Sequence, residues 1–217
     1  MVDIGHTLTV RSLLAVPVCL LLLSSCASPA QHIETGKQLL EKQQYDKALN
    51  EFNQAIQQDP KQYYAYFGQG FAYVNSGKPD LALASANKAL ELKSDDAGSF
   101  AVKGQAEAEL NQPDAAIADM TQAMKLDPKK AKYVAMRSMI YASSGQQQPA
   151  LVDAEQALAL DPKSVPALVA QALVFEAQGQ RQMAVNQVEK ASAIEPDNPT
   201  VQKLQAMFQQ AAGSQAQ

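Results

Sequence analysis

The chain has 217 residues, of which 47% are hydrophobic and 18% are charged, and its formal net charge is −4. This is the composition of an ordinary globular protein, and it excludes disorder along the whole chain. The lysines are scattered without the basic clusters that bind phosphate backbones, so we expect no nucleic-acid partner.

The segment 1–25 has the three-part pattern of a secretory signal peptide. Arg11 precedes an apolar segment from Leu13 to Leu23, and two serines follow that segment. Its eleven residues are too few to span a bilayer, which takes roughly 20. A buried core helix would have an amphipathic stripe, whereas this segment is apolar on all faces. We therefore expect residues 1–25 to be a signal peptide.

A cysteine stands directly after this segment, in Leu23-Ser24-Ser25-Cys26. These four residues resemble the bacterial lipoprotein box, and the resemblance implies cleavage before Cys26 and acylation of its thiol. Several acyl chains on one residue would meet the requirement of two membrane signals for stable anchoring. After cleavage only one thiol and one histidine, His32, would remain. We therefore expect a lipid anchor at Cys26 and neither an internal disulfide nor a zinc site.

The linker between this anchor and the folded part is short, and we assign it to residues 26–28. Ser28-Pro29-Ala30-Gln31 has the serine and glutamine of a capping box, with proline at the first helical position. Residue 27 is alanine rather than aspartate. By analogy with the sorting rule of Gram-negative lipoproteins, we expect an outer-membrane lipoprotein that faces the periplasm.

The rest of the chain is repetitive, with a period of about 34 residues. The pairs Asp59-Pro60, Asp127-Pro128, Asp161-Pro162 and Glu195-Pro196 are separated by two, one and one of these periods. Two columns at this period contain only alanine: Ala48, Ala82, Ala116, Ala150 and Ala184, and Ala55, Ala89, Ala123, Ala157 and Ala191. A third column contains the small residues Gly36, Gly70, Gly104, Ser138 and Ala172.

The period and the columns resemble the tetratricopeptide repeat family, whose unit is a helix–turn–helix. The resemblance implies an all-α, right-handed α-solenoid of about five repeats over residues 29–198. The expected units are 29–62, 63–96, 97–130, 131–164 and 165–198. The family's usual leucine before the small-residue column is replaced by Thr35, Gln69, Lys103, Arg137 and Gln171. We expect this replacement to remove apolar contact without disturbing the register.

A last helix is expected over residues 199–212, followed by a disordered tail at 213–217. Val201, Leu204 and Phe208 lie on one face of this helix, and glutamines cover the others. An apolar face turned inward and a polar face turned outward is what the end of a repeat array requires.

Catalysis finds little support in the sequence. His32 falls in a packing column, and the mature chain lacks a Cys/His pair for thiol chemistry because its one thiol is expected to carry lipid. No phosphate-binding glycine loop is present. We therefore expect no catalytic residue, no cofactor and no metal ion, and we interpret the protein as a binding module.

The resemblance implies a peptide-binding groove along the first helices of the repeats. In the second repeat, Tyr64, Phe67, Phe71 and Val74 follow one helical stripe. In later repeats, we expect Met139, Val169 and Leu173 to line the same groove. The alternative is that the second repeat's aromatic residues pack against the first repeat. The groove looks apolar, which favours an extended or amphipathic peptide and not the C-terminal tails that chaperone-binding members of the family capture.

An acylated repeat array resembles two groups of bacterial envelope proteins. The first comprises pilotins and pilus-assembly lipoproteins, which bind secretin subunits, and the array's size and short linker favour it. The second comprises adaptor lipoproteins that dock periplasmic proteases or cell-wall enzymes. A third interpretation is a self-associating scaffold that forms a homodimer through the same apolar surface.

Overall fold

The computed structural model describes residues 27–214. The expected signal peptide, Cys26 and the last three residues of the chain lie outside this range. Within it the chain folds into helices joined by short turns: α1 (Pro29–Glu41), α2 (Tyr45–Gln58), α3 (Tyr63–Asn75), α4 (Pro79–Leu92), α5 (Ala97–Glu109), α6 (Pro113–Leu126), α7 (Ala131–Ser143), α8 (Gln147–Leu160), α9 (Val165–Ala177), α10 (Arg181–Ile194) and α11 (Pro199–Ser214).

The helices form five consecutive pairs, and each pair packs against the next. The first helices of the pairs begin at residues 29, 63, 97, 131 and 165, and α11 begins at residue 199. Each of these starts lies one repeat period after the previous one, as the sequence predicts. The expected all-α solenoid of five repeats is therefore confirmed.

The turn inside each pair contains one residue with a left-handed backbone. Gly77, Gly145 and Gly179 have φ values of +67°, +77° and +73°. The other two repeats place Gln43 and Asn111 there, with φ values of 55° and 60°. Glycine adopts this conformation without steric cost, whereas a residue with a Cβ is strained by it. The turn therefore has a left-handed residue in all five pairs, although a glycine indicates it in only three of them.

The chain enters the first repeat in a fixed position. The Ser28 side chain accepts a hydrogen bond from the Gln31 amide (3.3 Å), and the Gln31 side chain accepts one from the Ser28 amide (2.7 Å). This is the predicted capping box. The Gln58 amide group at the end of α2 also donates to the Ala27 carbonyl oxygen (3.0 Å). Residue 27 is thus held against the end of α2.

The small-residue columns lie where the two helices of a pair touch. All ten alanines of the two alanine columns are 0% exposed. A Cβ on Gly104 would lie 2.9 Å from the carbonyl oxygen of Ala116, which is closer than real Cβ atoms approach. Side chains at these positions are therefore limited in size by the backbone of the partner helix.

A ladder of polar side chains connects the middle repeats, and we call it the polar ladder. Its central members are Gln69, Lys103 and Arg137, the residues that replace the family's leucine. Each bonds to a residue on the second helix of its own pair, and two of them also bond to one on the second helix of the preceding pair. The bonds are Gln69 Nε2 to Asn53 Oδ1 (2.8 Å), Ser85 Oγ to Gln69 Oε1 (2.8 Å), Lys103 Nζ to Asp119 Oδ2 (2.6 Å), Arg137 Nε to Asp153 Oδ2 (2.7 Å) and Arg137 Nη1 to Thr121 Oγ1 (2.8 Å). Polar side chains here thus provide specific links between helices in place of apolar contact.

A second carboxylate lies beside the ladder in the third repeat. Glu107 is 6% exposed, and its Oε1 lies 3.4 Å from Lys103 Nζ, while its Oε2 is buried without a hydrogen-bond partner. Desolvation and the neighbouring Asp119 raise the pKa of Glu107 to about 7. Two carboxylates therefore share one ammonium group in a partly buried site.

The final helix, α11, closes the array. Val201, Leu204 and Phe208 are buried against the last pair, whereas Gln202 and Gln209 are exposed. The helix continues to Ser214, beyond its expected end, so the boundary at residue 212 was wrong. A single glycine such as Gly213 costs a helix only about 1 kcal/mol and does not end it. The segment expected to be a disordered tail is therefore helical at residues 213 and 214, and its remainder lies outside the described range.

None of the helices described is long and apolar enough to span a lipid bilayer.

Candidate peptide-binding groove

A groove runs along the first helices of the pairs and contains three adjoining recesses. The N-terminal recess lies between α1 and α3, the central recess between α3, α5 and α7, and the C-terminal recess between α5, α7 and α9. Their volumes are about 320, 240 and 360 Å³. Phe67 and Phe71 line both the N-terminal and the central recess, while Gln105 and Met136 line both the central and the C-terminal one. The three recesses therefore form one continuous path.

An aromatic ridge, made of Tyr64, Phe67 and Phe71, separates the first two recesses. The rings of Tyr64 and Phe67 meet edge to face, with 5.2 Å between their centroids. Phe67 and Phe71 also pack against the core cluster that contains Val74 and Val102. The ridge is half-buried, so each ring presents one side to the groove and rests the other on the fold.

The structure separates the residues that we expected in the groove into two groups. Tyr64, Phe67, Phe71 and Met139 line recesses. Val74 and Val169 do not, because they are only 4% and 2% exposed and belong to core clusters. Leu173 is partly buried against the C-terminal core and lines no recess of the groove.

The placements of Val74 and Val169 were therefore wrong, for a physical reason. Val74 lies near the end of α3, where its cluster joins residues of α4 and α5. Val169 occupies the place of Phe67 in the fifth repeat, where its cluster joins α9, α10 and α11. A helical stripe predicts which way a side chain points, but whether that side chain is exposed depends on the neighbouring helices.

Several groove residues were missed by the sequence analysis. Lys37 and Gln105 stand one repeat period before and after Phe71, in the same column as Met139. Both line recesses, so the repeat period alone could have identified them. Met136 lies one turn before Met139 on α7, and Tyr133 lies one turn before Met136; no aromatic excess or charge pattern marked either residue.

The ends of two lysine side chains lie over the rings of the ridge. Lys37 Nζ is 4.4 Å from the centroid of Tyr64, and Lys132 Nζ is 5.2 Å from that of Phe71. Both distances allow a cation–π attraction. Much of the Lys132 side chain is exposed, yet neighbouring atoms desolvate its ammonium group, and this together with nearby Lys130 lowers the pKa of Lys132. Burial also raises the pKa of the Tyr64 hydroxyl.

The chemistry of the groove is that of a binding surface. Most of its lining side chains are uncharged, and many are aromatic, methionine or alanine; the charged ones are Lys37, Glu41, Glu109, Lys130 and Lys132. The described residues include no group of His, Cys, Asp and Glu that could hold a metal ion. His32 contacts Glu51, with 2.6 Å between Nδ1 and Oε2, and neither residue lines the groove.

Comparison with known families agrees with the helix pairs. Residues 36–77 match the family described as TPR repeat, and residues 63–96 and 97–130 match the family described as Tetratricopeptide repeat. The latter two ranges coincide with the second and third units. No curated protein sequence is significantly similar to the chain.

Solved structures with the same fold include PilW, PilF and YrrB. PilW, described as a widely conserved type IV pilus biogenesis factor, shares 22% identity with a TM-score of 0.71, over 85% of this chain and 86% of PilW. Pseudomonas aeruginosa PilF shares 16% identity with a TM-score of 0.67, over 87% of this chain and 86% of PilF. YrrB, described as a TPR protein with an unusual peptide-binding site, shares 22% identity with a TM-score of 0.57, over 81% of this chain and 91% of YrrB.

Identities this low establish a shared fold and nothing finer. Tetratricopeptide repeats are protein-interaction scaffolds that bind protein or peptide partners. The helix pairs on both sides of residues 36–130 continue the same repeat register. Residues 36–130 are therefore tetratricopeptide repeats, and the helix pairs on both sides of them share the repeat fold.

Proposed function

We propose that this protein is a non-catalytic, membrane-tethered scaffold whose groove binds an extended segment of a cell-envelope protein. The observation that carries the proposal is the aromatic ridge, which places Phe67 and Phe71 between two adjoining recesses. Large apolar side chains of a partner would find a recess on either side of the ridge. Buried aromatic contacts of this kind provide most of the affinity in many interfaces.

The shape of the groove favours an extended peptide over a compact ligand. Three shallow recesses follow one another along the first helices, and they share lining residues at each junction. A compact small molecule would occupy one of them and leave the others empty. An extended segment would place successive side chains in all three.

The pathway that we propose is pilus assembly, with a secretin as the partner. Support comes from the fold shared with PilW and PilF along most of the chain, together with the predicted signal peptide and lipoprotein box. The predicted anchor at Cys26 would hold the array at the outer membrane, facing the periplasm. Because Ala27 is bonded to the end of α2, such an anchor would hold the first repeat close to the lipid surface.

A capture experiment tests this function. The full-length chain carrying an affinity tag is used to isolate partners from detergent-solubilised envelopes of the source organism. Capture of a secretin would support pilus assembly. A protease or a cell-wall enzyme would indicate an adaptor, and capture of the chain alone would indicate a self-associating scaffold.

Variants of the ridge connect the captured protein to the groove. Phe67→Ala with Phe71→Ala should abolish capture, because both rings line the recesses. These rings also support the core, so the double variant loses stability as well. Tyr73→Ala is the matched control, since Tyr73 packs against the same core cluster but lines no recess of the groove. Equal loss of capture in both variants would mean that the effect is unfolding and would overturn the groove assignment.

A further inference from the structure

Among the three recesses of the groove, the central one is lined by two lysines and by no acidic side chain. Lys130 and Lys132 line it, and its other lining side chains are uncharged. Among the described side chains, no carboxylate lies within 4 Å of either ammonium group. The two neighbouring recesses differ, because Glu41 lines the N-terminal one and Glu109 the C-terminal one. The N-terminal recess also has Lys37, which offsets Glu41, so among the three recesses only the central one has a net positive charge.

Lys132 is placed to meet an anion next to an apolar surface. Its ammonium group lies over the ring of Phe71, the same ring that forms the junction of two recesses. No carboxylate of the described side chains lies within 4 Å of this ammonium group, and the Phe71 ring attracts it through a cation–π contact. An arriving carboxylate would be bound beside aromatic carbon, where water screens the interaction less than on an open surface.

The position of these lysines also says which part of a ligand they would contact. The groove continues on both sides of the central recess, past Phe67 and Phe71 in one direction and past Gln105 and Met136 in the other. A peptide that ended at the lysines would leave one of the outer recesses empty. A peptide that continued through would place a side chain, not its terminus, beside them.

We propose that the groove selects an extended segment with an internal acidic residue, Asp or Glu, flanked on both sides by apolar residues. This inference rests on the proposed function and adds the partner's chemistry to it. The acidic side chain pairs with Lys132 and Lys130 in the central recess. One apolar neighbour lies against the aromatic ridge, and the other lies in the methionine-lined C-terminal recess beside Met136 and Met139.

A selection from random peptides tests the proposal without knowledge of the partner. The full-length chain, purified in detergent, is used to select from a displayed library of twelve-residue peptides. Each enriched peptide is then synthesised with an amidated C-terminus, and its affinity is measured by fluorescence polarisation. Binding is assigned to the groove where Phe67→Ala with Phe71→Ala abolishes it and Tyr73→Ala does not.

The expected result is that groove-dependent peptides contain Asp or Glu between apolar residues. Exchange of that acid for its amide, or Lys132→Gln in the protein, should each weaken binding about fivefold, the effect of one partly exposed ion pair. The two changes together should cost no more than either alone. Lys163→Gln is the control, because Lys163 stands one repeat period after Lys129 in an equivalent turn and lines no recess of the groove. Lys132→Glu should prefer a peptide in which the acid is replaced by lysine.

Three outcomes would overturn the inference. Groove-dependent peptides without acid enrichment, unaffected by Lys132→Gln, would refute the acidic partner and leave the proposed function standing. Peptides that bind only with a free terminal carboxylate would refute the internal position of the acid. A selection that yields no groove-dependent peptide would refute the proposed function and this inference together.

Discussion

Arg137 and Asp153 form a two-point ion pair that joins the helices of the fourth repeat. Arg137 donates from Nε to one carboxylate oxygen at 2.7 Å and from Nη2 to the other at 2.9 Å. The third donor, Nη1, reaches Thr121 on the preceding pair at 2.8 Å. The Asp153 side chain is 5% exposed and that of Arg137 is 17% exposed. One guanidinium group thus connects three helices.

Removal of one partner of this ion pair should destabilise the array. We expect Asp153→Ala to lower the free energy of unfolding by roughly 2–4 kcal/mol, because it leaves a partly buried guanidinium group unpaired. The double variant Arg137→Met with Asp153→Leu should recover most of this loss. Urea denaturation of the two variants measures both effects. Lys88→Ala is the control, since the Lys88–Glu91 pair is exposed and should contribute nothing measurable.

The alanine columns should not tolerate larger side chains. Ala116 is 0% exposed, and its carbonyl oxygen faces Gly104 across the helix pair. Ala116→Leu should therefore cost about 1–3 kcal/mol through overpacking. Ala115→Leu makes the same change on an exposed face of the same helix and should leave the melting temperature almost unchanged. Equal shifts in the two variants would contradict the packing described here.

The buried carboxylate of Glu107 should make the array less stable as pH rises. The pKa of Glu107 rises from 4.5 to about 7 on folding, so the folded state holds a proton that the unfolded state has lost between those values. This group therefore lowers the stability of the fold as pH rises through that window. Glu107→Gln removes the titration.

The expected result is that Glu107→Gln raises the melting temperature more at pH 8 than at pH 5. Thermal unfolding followed by circular dichroism at the two pH values measures this difference. Glu91→Gln, at an exposed position on α4, is the control and should show no such pH dependence. A constant difference between Glu107→Gln and the unchanged protein at both pH values would contradict the shared-ammonium site.

Two glycines should separate binding from stability. A Cβ on Gly98 would lie 2.8 Å from the ring of Phe67, and Gly98 lines the central recess. Gly98→Leu should fill the recess and weaken groove-dependent peptides at least about tenfold, a change of about 1.4 kcal/mol in binding. Gly77→Ala should do the reverse, because its φ of +67° strains any residue with a Cβ while nothing lies near it. It should lower the melting temperature and leave peptide binding unchanged.

The predicted lipid anchor has a direct test. If Cys26 carries the acyl chains, Cys26→Ser should stop cleavage of the signal peptide and abolish labelling of the protein with radioactive palmitate. Cys19→Ser should change neither, since Cys19 lies inside the predicted signal peptide. Acyl labelling that persists in Cys26→Ser would refute the anchor.

The helix pairs could be predicted well from the sequence because each repeat gives independent evidence for the same helix boundaries and contacts. Ala48 alone says little, but five alanines at the same phase locate the contact between paired helices. The groove was predicted only in part. Phe71 and Val74 lie on the same helical stripe, but neighbouring helices bury Val74 and leave Phe71 exposed to the groove. The polar ladder was missed because Gln69 and Lys103, each considered alone, indicate only the loss of an apolar contact. Their partners lie on other helices, at a sequence spacing that has meaning only once the helices are paired.

The polar ladder and the apolar core of the fifth repeat should respond differently to salt. The second to fourth repeats are joined partly by ion pairs and hydrogen bonds, whereas Val165, Leu168 and Val188 join the fifth repeat to α11. Salt screens the partly buried pairs of the ladder only weakly, whereas sulfate strengthens apolar burial. Added sulfate should therefore stabilise the C-terminal end of the array more than its middle. A segment bound along the groove would then contact repeats of unequal local stability.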